Sequence, residues 1–147
     1  MAGYPRPTVQ SITLRKLRRE FGSVVAVDDV DLQVPAGSMH FMLGPSGCGK
    51  TTILRMIAGF QEPTAGQVLF GERDVTRLPA ERRDTGMVFQ GYALWPHMSV
   101  FDNVAFGLQV RKVPTAERRA RTMQALEMVR MQAHADRMPN QLSGGQQ

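Results

Sequence analysis

A lone cysteine, Cys48, stands among the 147 residues. One thiol excludes an intrachain disulfide framework and a paired-cysteine zinc site, and it fits a reducing compartment. No apolar run approaches the roughly 18 residues that a membrane-crossing helix needs. The basic stretch Met1–Glu20 lacks the apolar core of a secretory signal. These absences lead us to expect a soluble, intracellular chain. Glycine and proline, at 14 and 9 residues, fall short of a low-complexity composition. With 42% apolar and 21% charged residues, the length suits one domain with a sizeable core. The net charge of +5 is spread along the chain, without a long basic run or an RNA-binding aromatic motif. Nucleic acid is therefore not an expected partner.

What is present is a β-rich first part and a helical second part. Met1–Gln10, with its two prolines, reads as a loose leader. Ile12–Leu17 and Val24–Val34 read as strands, the second alternating through Val30, Leu32 and Val34. After the turn Pro35-Ala36-Gly37, the segment Met39–Leu43 reads as a short apolar strand running into a glycine-rich stretch. Lys50–Phe60 follows as a helix with Ile53, Met56 and Ile57 on one face. Gln67–Phe70 and Gly86–Phe89 again read as strands. Beyond Gln90, Val100–Arg111 places Val100, Val104 and Leu108 on one helical face. A further helix starts at Pro114-Thr115, with Thr115 as N-cap and Ala116, Ala120, Met123, Leu126 and Val129 along its apolar side. Glu81-Arg82-Arg83-Asp84 reads as a solvated, mutually compensating turn. The methionines Met56 and Met123 read as core packing.

The chemistry concentrates in Gly44-Pro45-Ser46-Gly47-Cys48-Gly49-Lys50-Thr51, which fits G-x-x-x-x-G-K-[ST] at every specified position. Glycines let backbone N–H groups converge on phosphate oxygens, and the following helix aims its positive end at the same anion. Lys50 reaches β- and γ-phosphates, and the Thr51 hydroxyl suits a Mg²⁺ shell. A turn that merely joins strand to helix does not require the Lys-Thr pair. Cys48 is read as a small filler in this loop rather than a redox switch.

Leu142-Ser143-Gly144-Gly145-Gln146 resembles the signature motif of ATP-binding-cassette proteins. Gln90, in Met87-Val88-Phe89-Gln90, resembles that family's Q-loop glutamine, and Phe21-Gly22 is placed like its adenine-stacking aromatic. The order of these pieces matches too. Gly91–Val100 further resembles the ATPase subunits of solute importers, those for polyamine, ferric-iron, sugar and phosphonate uptake among them. The resemblance covers Ile12 to Gln147. It implies an α/β phosphate-loop NTPase fold: a RecA-like core with an antiparallel β part over residues 11–90, and an all-α signature subdomain over residues 91–147, incomplete at its C-terminal end.

The resemblance also implies roles. ATP and Mg²⁺ would be bound by Phe21 at the adenine, Gly44, Pro45, Ser46, Gly47, Cys48, Gly49, Lys50, Thr51 and Thr52 at the phosphates, and Thr51 and Gln90 at the metal. Ser143, Gly144, Gly145 and Gln146 would meet the γ-phosphate held by a second subunit, in a head-to-tail homodimer. Lys50 and Gln90 would serve the hydrolysis itself. Transmembrane permease subunits would dock on Gln90–Val100, with a solute-binding protein acting indirectly, and the chain would lie on the cytoplasmic face of the cell membrane. Residue chemistry alone leaves Phe21 and Trp95 open between these roles and core packing, Gln90 between metal sensing and a solvated loop, and Ser143 between anion cradle and ordinary N-cap. His97 reads as a surface or structural histidine.

The family's hydrolytic machinery continues past its signature, and nothing like Leu-Leu-Asp-Glu-Pro occurs in these 147 residues; His40, His97 and His134 are misplaced for its switch histidine. We therefore expect an N-terminal portion of an importer ATPase that binds nucleotide but hydrolyses it poorly by itself. The competing expectations are a non-catalytic nucleotide-binding module, a kinase-like phosphoryl transferase, and a soluble cassette ATPase of DNA repair or translation.

Overall fold

The computed structural model describes residues 9–147, so most of the expected leader, Met1–Gln10, lies outside the described residues. The chain divides into two compact units, one up to Met87 and one from Val88 onward.

In the first unit, β1 (Ile12–Phe21), β2 (Val24–Val34), β3 (Ala65–Phe70) and β4 (Arg73–Asp74) form an antiparallel sheet in the order β2-β1-β3-β4. Helix α1 (Lys50–Ala58) packs Met56 and Ile57 into a core with Leu14, Leu17, Val27, Val68 and Val75. Leu14 and Leu17 are an odd number of residues apart, and strict alternation would send them to opposite faces. Both are buried because β1 bulges between them, with Lys16 at φ +45°. Asp31 holds the bulge: its carboxylate accepts from the Lys16 backbone N–H at 2.9 Å and pairs with Lys16 Nζ. That bond lowers the Asp31 pKa and raises that of Lys16. Gly66 of β3 faces the bulge, at φ +85°, and a Cβ there would lie 2.1 Å from the Lys16 carbonyl oxygen.

Two expected strands are absent. Met39–Leu43 and Gly86–Phe89 are irregular. Strand propensity needs a ladder to express itself, and the four strands of this sheet pair only with one another. Met39, Phe41, Leu43 and Val88 are left 83%, 72%, 91% and 93% exposed.

Arg83 also departs from expectation. Rather than a solvated turn residue, it is 5% exposed. Its guanidinium donates to the carbonyls of Met56 (2.7 Å), Ile57 (2.9 Å), Thr76 (2.9 Å) and Leu78 (2.6 Å). The first two are end carbonyls of α1, the Met56 oxygen shared with the cap N–H of Gly59 at 3.3 Å, so the arginine closes that helix from 26 and 27 residues away. Burial pushes its pKa down, opposed by the charge of Asp74, and an arginine stays protonated regardless.

The second unit holds α2 (Val100–Val110) and α3 (Thr115–Met128) around Val100, Leu126 and Ala135, with Phe101, Met123, Met131 and Leu142 against them. Ser99 caps α2, accepting from Asp102 N at 3.0 Å. Thr115 is not the cap of α3: Pro114 takes that position and Thr115 is the first helical residue. The expected apolar side of α3 is narrower than its sequence suggests, since only Thr122 and Leu126 are buried and Val129 is 65% exposed. Val104 and Val129 instead line an apolar cleft of about 170 Å³ with Leu94, Val100, Leu126 and Leu142.

Candidate functional site

The phosphate loop is built by three constraints. Gly44, Gly47 and Gly49 take φ of +154°, +83° and +90°, the last two in the left-handed region that glycine tolerates. A Cβ on Gly49 would sit 2.5 Å from the Ala26 carbonyl oxygen, so this glycine is also what lets the loop lie against β2. Helix α1 then begins at Lys50 with Gly49 as N-cap. That cap has no side chain to give, and no acidic residue stands in the first turn. The first intrahelical bond runs from Ile53 N to Gly49 O at 2.9 Å. The N–H groups of Lys50, Thr51 and Thr52 therefore form a positive helix end that no side chain of this helix neutralises.

Lys50 is half-buried against this loop, its ammonium 2.7 Å from the carbonyl oxygens of both Gly44 and Pro45 and 3.3 Å from Cys48 Sγ. A cleft of about 250 Å³ opens beside it, lined by Ala26, Ser46, Gly47, Gly49, Lys50, Thr51 and Thr52. Among the described residues nothing lies within 4 Å of where a Gly47 Cβ would be, which leaves that backbone open to an approaching group. The lining offers backbone donors, one cation and hydroxyl oxygens but no carboxylate, a set that suits a polyphosphate anion. The exposed Thr51 hydroxyl is an oxygen donor of the kind Mg²⁺ accepts alongside phosphate oxygens and water. Among the described residues no group of three or more His, Cys, Asp or Glu is placed to hold a metal alone.

Phe21 ends β1 with 46% exposure, which removes the core reading of its ring. The Arg19 guanidinium lies 4.5 Å from its centroid, a cation–π contact that orients the ring. Gln90 belongs to the second unit and is exposed, just ahead of a turn in which Tyr92 and Ala93 both take positive φ, +60° and +55°. Trp95 is 38% exposed, its ring 4.1 Å from that of Phe106, so it is neither core nor free.

Ser143–Gln146 are likewise exposed in the second unit. Gln146 N and Gln147 N both bond Ser143 O, at 2.9 and 3.0 Å, the opening turn of a helix. The Gln146 side chain reaches back to accept from Ser143 N at 3.0 Å, half of a capping box. The far side of that amide lies 3.4 Å from His134 Nε2, and His134 Nδ1 is buried without a hydrogen-bond partner. The structure thus gathers Gly44–Thr52 into one site and carries Gln90 and the signature residues on the other unit.

Comparison with known proteins decides the family. The model of the ABC transporter family matches residues 27–147. This chain belongs to the ABC transporter family. Among curated relatives, the spermidine/putrescine import ATP-binding protein PotA of Mannheimia succiniciproducens is 52% identical over 136 residues, covering 92% of this chain and 36% of that protein. PotA of Thermobifida fusca is 52% identical over 143 residues, covering 95% and 37%. This ABC chain therefore spans little more than a third of the length of those relatives. Among solved structures, a dimeric bacterial ABC transporter cassette superposes with a TM-score of 0.83 at 32% identity, covering 92% of this chain and 64% of that one. A post-hydrolysis cassette dimer bound to ADP and Pi gives 0.82 at the same identity and coverage. The fold is thus that of a phosphate-loop ATPase cassette, of which the antiparallel β part, the phosphate loop with α1 and a helical part are formed here.

Two consequential residues escaped sequence reading. Arg83 carries no local signal, because its carbonyl partners are gathered by tertiary structure. Asn103 does carry one: asparagine is a poor helix former, and its place inside α2 invites the question of what its amide holds.

Proposed function

We propose that this chain is the nucleotide-binding portion of the ATPase subunit of a membrane importer, with polyamines as the solute class. The observation that carries the nucleotide reading is the uncapped start of α1, with the Lys50 ammonium held at the mouth of a glycine loop. The solute class is supported by likeness to proteins named for spermidine/putrescine import.

In this reading ATP lies with its adenine on the exposed face of Phe21 and its phosphates on Gly44–Thr52. The loop N–H groups fix the β-phosphate, and Lys50 turns from the Gly44 and Pro45 carbonyls to the β- and γ-oxygens. Because those carbonyls are only hydrogen-bond acceptors, exchanging them for a polyanion is favourable. Thr51 and Gln90 would hold Mg²⁺, which when bound would supply charge neutralisation at the phosphates. Ser143–Gln146 present a second set of donors, the Ser143 hydroxyl and glycine N–H groups, to the γ-phosphate bound by another copy. The second unit carries the Gln90–Val100 face toward permease subunits at the cytoplasmic side of the membrane. No helix among the described residues is long and apolar enough to cross a membrane itself.

The 147 residues taken alone bind nucleotide and turn it over slowly, because no Asp-Glu pair of the water-activating kind follows the signature within them. Equilibrium binding of a fluorescent ATP analogue tests the first statement, and phosphate release from MgATP tests the second. Lys50→Ala is expected to weaken MgATP binding by at least tenfold, about 1.4 kcal/mol. Unchanged affinity overturns the site. Lys50-dependent hydrolysis by the purified chain at the rate of a full-length relative overturns the slow-turnover reading.

A further inference from the structure

We infer that Asn103 is a positioning residue that shapes the Trp95–Ser99 turn for the membrane partner, an inference that rests on reading Gln90–Val100 as the permease-facing surface. Asn103 lies near the start of α2, yet its amide is spent entirely on the preceding loop. Oδ1 accepts from the Trp95 backbone N–H at 2.9 Å. The two Nδ2 hydrogens are shared among the carbonyls of Trp95 (3.1 Å), Met98 (3.1 Å) and Ser99 (2.9 Å). Gripping both the N–H and the C=O of Trp95 copies the pattern of a strand neighbour, and a carboxamide offers that acceptor and donor side by side on one planar group.

The loop's other ties are few and local, among them the Ser99 cap on Asp102 at its end. Inside it the Met98 N–H reaches the Trp95 carbonyl at 3.2 Å, and it follows a turn with two non-glycine residues at positive φ. Phe106, one turn beyond Asn103 on the same helix, holds the Trp95 ring. The turn's backbone and its one large ring are thus both referred to α2, while Pro96 and His97 project as exposed residues between the fixed points. A partner pushing on Pro96 or His97 therefore meets a loop that moves with α2 and does not yield separately. None of the side-chain hydrogen bonds of Asn103 goes to a residue assigned to nucleotide.

The test uses the ATPase subunit both free and assembled with its permease in proteoliposomes, with spermidine as solute. Uptake per ATP hydrolysed is the readout, because misfolded subunits contribute to neither quantity. Asn103→Asp keeps the acceptor for Trp95 N but turns a carboxylate on three carbonyls, and Asn103→Ala removes every bond. Both are expected to lower the ratio at least fivefold while free-subunit hydrolysis and MgATP affinity stay within twofold of wild type. A ratio within twofold of wild type in both variants overturns the inference, as does a parallel loss of free-subunit affinity, which marks a structural role. A photoreactive benzoylphenylalanine replacing His97 separates the two levels. Cross-linking to the permease with unchanged coupling in the Asn103 variants sinks the positioning role alone. Failure of that cross-link in the wild-type background sinks the surface reading and the inference together.

Discussion

Arg83 shows how much a single side chain decides in the first unit. Among the described residues its guanidinium bonds four carbonyls and no carboxylate, so its value lies in satisfying backbone groups rather than in a salt bridge. Replacement by Met fills much of the volume but takes the side-chain donor from all four carbonyls, of which Met56 keeps the Gly59 N–H. At roughly 1–3 kcal/mol for an unsatisfied buried group, offset where water enters, we expect Arg83→Met to destabilise the unit by about 3 kcal/mol or more. Arg83→Lys keeps the charge, yet one ammonium cannot reproduce a planar fork spanning carbonyls on both sides of the chain, so it should recover less than half. Urea denaturation followed by far-UV circular dichroism measures both. The single tryptophan, Trp95, lies in the second unit, and its emission reports that unit separately. Equal stability of Arg83→Met and wild type would show that the carbonyls find other partners.

At the scale of elements, β1 and β3 make a sharper point about what a sequence displays. The strands are legible because Val, Ile and Leu recur at strand spacing, and α1 because Ile53, Met56 and Ile57 recur at helical spacing. The bulge at Lys16 is not legible, since it depends on Asp31 of β2 and on Gly66 of β3, both distant in the chain. Two glycines at the same backbone sign separate local from tertiary demand. Gly22, at φ +58°, has nothing within 4 Å of a Cβ, so Gly22→Ala should cost only the left-handed penalty, about 1–2 kcal/mol. Gly66→Ala pays that penalty and also drives a methyl into the Lys16 and Arg15 backbone at 2.1–2.6 Å, adding about 1–3 kcal/mol. Thermal or urea unfolding of the two variants should rank them in that order, and the reverse order would mean that the bulge relaxes freely.

The same distinction explains the candidate site. The phosphate loop could be read whole because its chemistry is contiguous from Gly44 to Thr52. Asn103 is flagged only as an asparagine inside a helix, because what its amide holds depends on a loop folding back over that helix. Met39–Leu43 and Gly86–Phe89 were misread for a related reason: their residues favour strands, but pairing partners are a property of the sheet and not of the segment.

For the whole molecule, the separation of the phosphate loop and the signature onto different units gives the proposed dimer a decisive test. Two copies related by a two-fold axis place the loop of each against the signature of the other. Lys50→Ala damages the site to which a copy brings its loop, and Ser143→Arg the site to which it brings its signature. Each variant alone should then lose both sites of its homodimer. Mixing them gives an asymmetric result: in the mixed dimer both lesions fall in one site, and the other combines an undamaged loop with an undamaged signature. Random pairing of equal amounts makes half the dimers mixed, so about a quarter of the wild-type sites should be restored. Trapped nucleotide, counted after gel filtration of the ATPase subunit in MgATP, measures this directly. If each copy used its own signature, the two lesions would stay in separate sites whatever the mixture, and no nucleotide would return.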